Sequence, residues 1–197
     1  MRTRLVASVI AACSVIVLAG CGTGTSVAPE PGRPSPTQAA SPIPPVKNPR
    51  DVTDMARRPC EFLTPQQAGG FGLDLPPKQL EGLLGTLRCK WTSTTRDRRT
   101  SRTVDISIFT NNPTLEIAYG QNRSRPFFEL TEIAGYPAIV TRTNADLPIC
   151  DIDVKPAELQ SVSVTYESQE FNNDPQQACV VGKQVAAAAL MNLPLKR

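Results

Sequence analysis

Four cysteines, Cys60, Cys89, Cys150 and Cys179, are spaced for disulfide chemistry rather than for metal binding. No CxxC pair occurs and the chain contains no histidine, so the usual tetrahedral zinc arrangements lack their ligands. An even number of thiols in an oxidising compartment favours two disulfides, and four cysteines allow three pairings. Cys60 with Cys89 and Cys150 with Cys179 is the favoured set. Each pair closes a loop of about 30 residues, a constraint worth roughly 3–4 kcal/mol in the chain-entropy model. The missing histidine also removes the commonest general base at neutral pH and every Ser-His-Asp or Cys-His arrangement. No catalytic residue, metal site or cofactor is therefore expected.

Two other groups of side chains have spacing worth weighing. Asp151 and Asp153 are two apart, so on a strand they share a face and could hold a cation or act as paired carboxylates. With no third oxygen ligand nearby in the sequence, they are expected to be solvated surface residues. Arg96, Arg98, Arg99 and Arg102 fall between two strand candidates, with Arg88 and Lys90 just before them. Such a basic hairpin could contact an anionic lipid or wall polymer at about 1 kcal/mol per residue near the surface, or simply protect a sheet edge. Ala68-Gly69-Gly70-Phe71-Gly72 lacks the lysine of a phosphate loop and is expected to stop a helix. Trp91, two residues from Cys89, is expected in the core against a disulfide.

At the N-terminus, Arg2 and Arg4 precede an uncharged, mostly apolar run from Leu5 to Leu18, then Ala19-Gly20 and Cys21. This is the order of a secretory signal. A spanning helix needs about 20 apolar residues; this run is shorter and is followed by the polar Gly22-Thr23-Gly24-Thr25-Ser26. Leu18-Ala19-Gly20-Cys21 resembles the cleavage site of bacterial lipoproteins, which implies a diacylglycerol on the Cys21 thiol and removal of residues 1–20, Cys13 included. The expected location is the extracytoplasmic face of the cell membrane, reached by lipid anchoring.

Residues 21–50 change character, with eight prolines between Pro29 and Pro49 among Ser, Thr, Ala and Gly. Such a stretch buries too little apolar surface to offset its ordering entropy and reads as a tether. At about 3.1 Å per residue in a polyproline form it could reach on the order of 90 Å. Residues 51–197 suit one domain with a substantial core. Charge gives little direction. Of 21 basic residues, Arg2 and Arg4 lie within residues 1–20, leaving 19 against 18 acidic ones, which makes no case for nucleic acid as a partner.

The elements that must position these residues are legible as alternation and periodicity. Leu87, Cys89 and Trp91 share one strand face, and Val104, Ile106 and Ile108 alternate with Asp105 and Ser107 on another strand. Phe127 to Ala134, Pro137 to Thr143, Ile149 to Val154 and Gln160 to Ser168 are further strands, with turns at Gly135-Tyr136 and near Pro156. Thr64-Pro65-Gln66-Gln67 is a helix-capping box, Asn112-Pro113 opens a short helix, and a last helix runs from Asp174-Pro175 to about Asn192. Consecutive strands joined by short turns predict an α+β fold: a single domain, mainly an antiparallel sheet covered by helices, including a C-terminal helix, with two disulfides.

Several short motifs in order carry a wider resemblance: Cys60-Glu61-Phe62-Leu63-Thr64-Pro65, Cys89-Lys90-Trp91, Gly135-Tyr136-Pro137-Ala138, Cys150, and Cys179 followed by Val185-Ala186 and Leu193-Pro194. Behind a lipoprotein signal and a proline-rich tether, they resemble the actinobacterial envelope lipoproteins of unknown function that include LprB and LprC. The chain departs from that pattern where Gln176-Gln177-Ala178 separates Asp174-Pro175 from Cys179. The resemblance implies location and fold, and it brings no active site. The expected function is an anchored binding or interaction module whose partner is an envelope protein, lipid or wall polymer. The competing expectations are a carboxylate enzyme directed at wall or lipid substrates, and a structural element of an envelope complex.

Overall fold

The alternation of apolar and polar residues in the second half of the chain becomes one antiparallel sheet of seven strands. The computed structural model describes residues 41–82, 85–94, 97–112 and 114–196, with the side chains of residues 98 and 114 excepted. The signal segment, Cys21, residues 22–40 and Arg96 lie outside the described residues. In chain order the strands are β1 (Lys78–Glu81), β2 (Leu87–Thr92), β3 (Arg102–Phe109), β4 (Phe127–Ile133), β5 (Tyr136–Arg142), β6 (Ile149–Ala157) and β7 (Gln160–Ser168). Their order across the sheet is β1-β2-β3-β7-β6-β5-β4. The helices are α1 (Pro65–Gly70), α2 (Thr114–Asn122) and α3 (Gln176–Met191). The expected α+β architecture is the one observed.

Register sorts the strand residues onto two faces, because directly paired residues in an antiparallel ladder project together. On the inner face, Val140, Ile152, Val164, Ile106 and Cys89 form one continuous row across five strands. The next row runs through Cys150, Tyr166, Val104 and Trp91. All of these side chains are buried. Helix α3 covers this face with Ala178, Gly182, Val185, Ala186 and Ala189, the helical spacing seen in the sequence. Gly182 sits where the helix comes closest: a Cβ there would lie 2.6 Å from Ile152 Cδ1 and 3.2 Å from Tyr166 Cβ.

Both favoured disulfides are present. Cys60–Cys89 ties the segment before α1 to β2, and Cys150–Cys179 ties β6 to the first turns of α3. The departure noted at Gln176-Gln177-Ala178 is accommodated, since α3 begins at Gln176 and turns Cys179 inward onto the sheet. Thr64 caps α1 reciprocally with Gln67, as its sequence predicts. The same Gln67 donates to the Ala188 carbonyl at 3.2 Å, and Asn192 donates to the Phe62 carbonyl and to Gln67, so α1 and the end of α3 are joined.

Three local features differ from expectation. β1 is absent from the strand pattern because Lys78-Gln79-Leu80-Glu81 is almost wholly polar; it sits at a sheet edge, where one face need not be apolar. The turn expected near Pro156 lies instead at Glu158-Leu159, with Leu159 at φ 58°. β6 runs through Pro156 because a register shift between Val154 and Ala157 frees that position from the ladder, where proline has no N–H to give. Residues 41–50, expected in the tether, contribute contacts to the domain: Ile43 is buried against α2, and Tyr136 donates to the Asn48 carbonyl. The compact unit spans Ala40–Arg197. At the β4–β5 hairpin, Ala134 and Gly135 both have positive φ, which gives the tight two-residue turn that suits strand twist.

Candidate functional site

The outer sheet face is polar, and the two aspartates singled out by spacing lie on it. Asp151, Thr165, Asp105 and Lys90 make one row across β6, β7, β3 and β2; Asp153, Ser163, Ser107 and Arg88 make the next. Most of these charges are internally satisfied. Asp151 accepts from Thr165 Oγ1 at 2.8 Å, and Asp105 is paired with Arg88. Burial pushes the Asp105 carboxyl upward against the opposing pull of Arg88 and Lys90. Among the described residues, no three histidine, cysteine, aspartate or glutamate side chains converge as metal ligands.

Asp153 departs from the solvated surface role expected for it. Helix α2 packs across this face, with Leu115 and Ala118 on Ile139 of β5 and Glu116 reaching Lys155 of β6 at 2.8 Å. The Asp153 carboxyl, half-buried on the sheet beside Ile139, is pushed up to about 6, chiefly by burial. A hydrogen bond with Ser163 opposes the rise and the neighbouring Asp151 charge adds to it. An acid whose folded-state value is raised favours the folded state most when protonated. The stability of the protein is therefore expected to fall as pH rises from about 4 to about 6 and to stay lower above. Asp153→Asn should gain roughly 1–3 kcal/mol over the wild type at pH 7 and little at pH 4, by urea unfolding at both values. A pH-independent difference would count against this placement.

The basic hairpin is brought together only in part. Arg102, in β3, forms an ion pair with Glu170, and its guanidinium lies over the backbone at Gly72. It is thereby committed to the fold. Arg99 is exposed on the short 3₁₀ turn Arg98–Thr100, while Arg96 and the Arg98 side chain lie outside the described residues. Asp97 opens that turn by accepting the Arg99 backbone N–H at 2.9 Å.

A pocket that sequence reasoning did not find lies beside the Cys60–Cys89 disulfide, with a volume of about 520 Å³. Its floor is made by Leu63, Ala68, Leu73 and Trp91, all buried, with Trp91 1% exposed. Its rim is Pro65, Gly69, Leu75, Pro76 and Pro77, with Leu75 39% exposed. α1 supplies one wall. The Gly69-Gly70 stop, with Gly72 at φ 72°, returns the chain so that Leu73–Pro77 makes the opposite wall. Asp74 is the one charged group of the lining. Both its oxygens are engaged by Thr94, through the backbone N–H and the hydroxyl, and these bonds hold the carboxyl below its ordinary range. The expected place of Trp91, in the core beside the disulfide, agrees with the structure, and the residue also floors the pocket.

No curated protein and no solved structure is significantly similar to this chain. The model of a family described as protein of unknown function, DUF3558, matches residues 16–192. That match covers most of the chain and extends across every described strand and helix, so the protein belongs to the DUF3558 family.

Proposed function

We propose that this protein is an envelope lipoprotein of the LprB/LprC-like kind, and that its domain is a binding module held at the extracytoplasmic face of the cell membrane by lipid on Cys21. In this reading residues 1–20 are removed as a signal, and the proline-rich segment after Cys21 carries the domain away from the bilayer. The pocket beside Cys60–Cys89 carries the reading. Its volume falls within the roughly 300–1,000 Å³ of small-molecule sites, and its lining is largely apolar with a single charged group, the usual composition of such sites. It is also braced, with a disulfide on one side and a capped helix on the other. A preformed site loses less freedom on binding than one that must be ordered first.

Two lipid chains anchor a protein far more stably than one, which makes Cys21 the residue on which membrane retention turns. The test is crosslinking in intact cells from a photoreactive residue at Leu75, with pull-down from the membrane fraction. A specific adduct is expected in the tethered protein and not with Gly69→Leu, which sets a bulky side chain at the pocket's rim. Cys21→Ala should move the protein out of the membrane fraction or leave the uncleaved precursor. Retention and processing unchanged by Cys21→Ala would sink the anchor. No specific adduct, together with reproducible turnover of a wall or lipid substrate by the purified protein, would favour a carboxylate enzyme, for which Asp153 beside Asp151 would be the place to look.

A further inference from the structure

We infer that the pocket takes the hydrocarbon chain of a lipid, with the polar end of that lipid left outside; this deepens the binding-module reading and rests on it. The argument is one of hydrogen-bonding capacity. Pro65, Pro76 and Pro77 at the rim have no N–H at all. The amides of Ala68, Leu73 and Leu75 are spent on the Thr64, Ala68 and Thr92 carbonyls at 2.9, 3.0 and 3.1 Å. A peptide strand entering the slot would bring a carbonyl with every residue against a lining where three prolines have no N–H and these three amides are spent, and a sugar would bring a ring of hydroxyls to the same few polar groups. Each such group would lose its water without replacement. A hydrocarbon chain asks for nothing that the lining lacks.

The rim sets the chemistry of the other end. Asp74 stands at the mouth, exposed, and its bonds from Thr94 keep it ionised. An anionic headgroup emerging beside it would meet like charge, so a neutral headgroup is the better fit. The occupant is thus a neutral acylated lipid, held by one chain.

The pocket floor contains its own reporter, because Trp91 is the only tryptophan in the protein. Bromine quenches tryptophan fluorescence on near contact, so a dibrominated monoacylglycerol reports occupancy of this pocket and no other. The intact chain carrying Cys21→Ala is used, so that its own lipid does not compete. Two glycines of α1 provide matched variants: a Cβ at Gly69 or at Gly70 meets nothing within 4 Å, yet only Gly69 lines the pocket. Titration is expected to quench Trp91 saturably, with Gly69→Leu raising the half-saturating concentration tenfold or more and Gly70→Leu changing it less than twofold. The brominated free fatty acid, an anion, should bind more weakly than the monoacylglycerol. Absence of quenching, or equal quenching in Gly69→Leu and wild type, overturns the hydrocarbon ligand. If the Leu75 adduct in cells still disappears with Gly69→Leu, the binding module stands and only the ligand class falls.

Discussion

Replacing Cys150 and Cys179 together by alanine is expected to cost the protein about 3–4 kcal/mol, on the order of 10 °C in melting temperature. Both disulfides span a sequence separation of 29, so loop closure alone would make them equal. Packing separates them. Cys150 and Cys179 are both buried beneath α3, whereas Cys60 is only partly so. Removing the first pair therefore also thins the contact between helix and sheet, and its cost should exceed that of the Cys60, Cys89 double variant. Urea unfolding checks both parts. The midpoint should fall and the slope should rise, since an unbridged unfolded chain exposes more surface. Equal losses from the two pairs would mean that loop entropy dominates and the packing argument fails. For a domain whose whole stability is about 5–15 kcal/mol, a loss of this size is a large fraction of the total.

Gly182→Leu is expected to be at least as damaging, and Gly182→Ala much less so. Alanine would recover about 1 kcal/mol of helix propensity, but its methyl must push aside Ile152 Cδ1 and crowd Tyr166 Cβ, an overpacking cost of typically 1–3 kcal/mol. The two nearly offset. The tip of Ile152 can turn away, while Tyr166 Cβ is fixed to the β7 backbone and cannot. Leucine adds three more carbons along the same line, and the helix can accept them only by lifting from β6 and β7. That would uncover Val185, Ala186 and Ala189 together. A loss above 3 kcal/mol is expected, with near-ultraviolet circular dichroism reporting the disturbed packing around Tyr166. A Leu variant as stable as the Ala variant would show that α3 sits less tightly than Gly182 implies.

The strands were legible because their inner faces follow a strict alternation. Val104, Ile106 and Ile108 point one way in sequence and in space, and the close spacing of the cysteines in pairs led to the right disulfides. β1 was not legible. With Leu80 as its one apolar residue, it is held by pairing with β2 rather than by a buried face of its own. The solvated role expected for Asp153 failed for a related reason: spacing on a strand tells which residues share a face, but nothing about how deeply the neighbouring strands and what lies over them bury each one. The pocket was hidden more deeply still. Leu63, Leu73 to Pro77 and Trp91 come from three separate segments and show no common period; only the closing of Cys60 onto Cys89 and the turn after Gly70 brings them together. The signal that could have been followed was local, since Leu73-Asp74-Leu75-Pro76-Pro77 is apolar chain that no strand or helix claims.

One joint of the fold has a topological consequence. Asp51 donates to the Pro194 carbonyl at 3.0 Å and Lys196 to the Pro49 carbonyl at 2.8 Å, with Arg50 bridged to Leu195 between them. The chain just before its first helical turn and the C-terminal stretch thus run side by side. A linker from residue 196 to residue 49 would close the polypeptide into a ring that keeps every strand but gives up Ile43 on α2 and the Asn48 carbonyl that Tyr136 uses, and new ends could be opened in the exposed turn at Asn144-Asp146, at the other end of β5 and β6. Any peptide appended at the C-terminus starts beside residues 49–51, so a fusion there begins where the chain comes into the sheet.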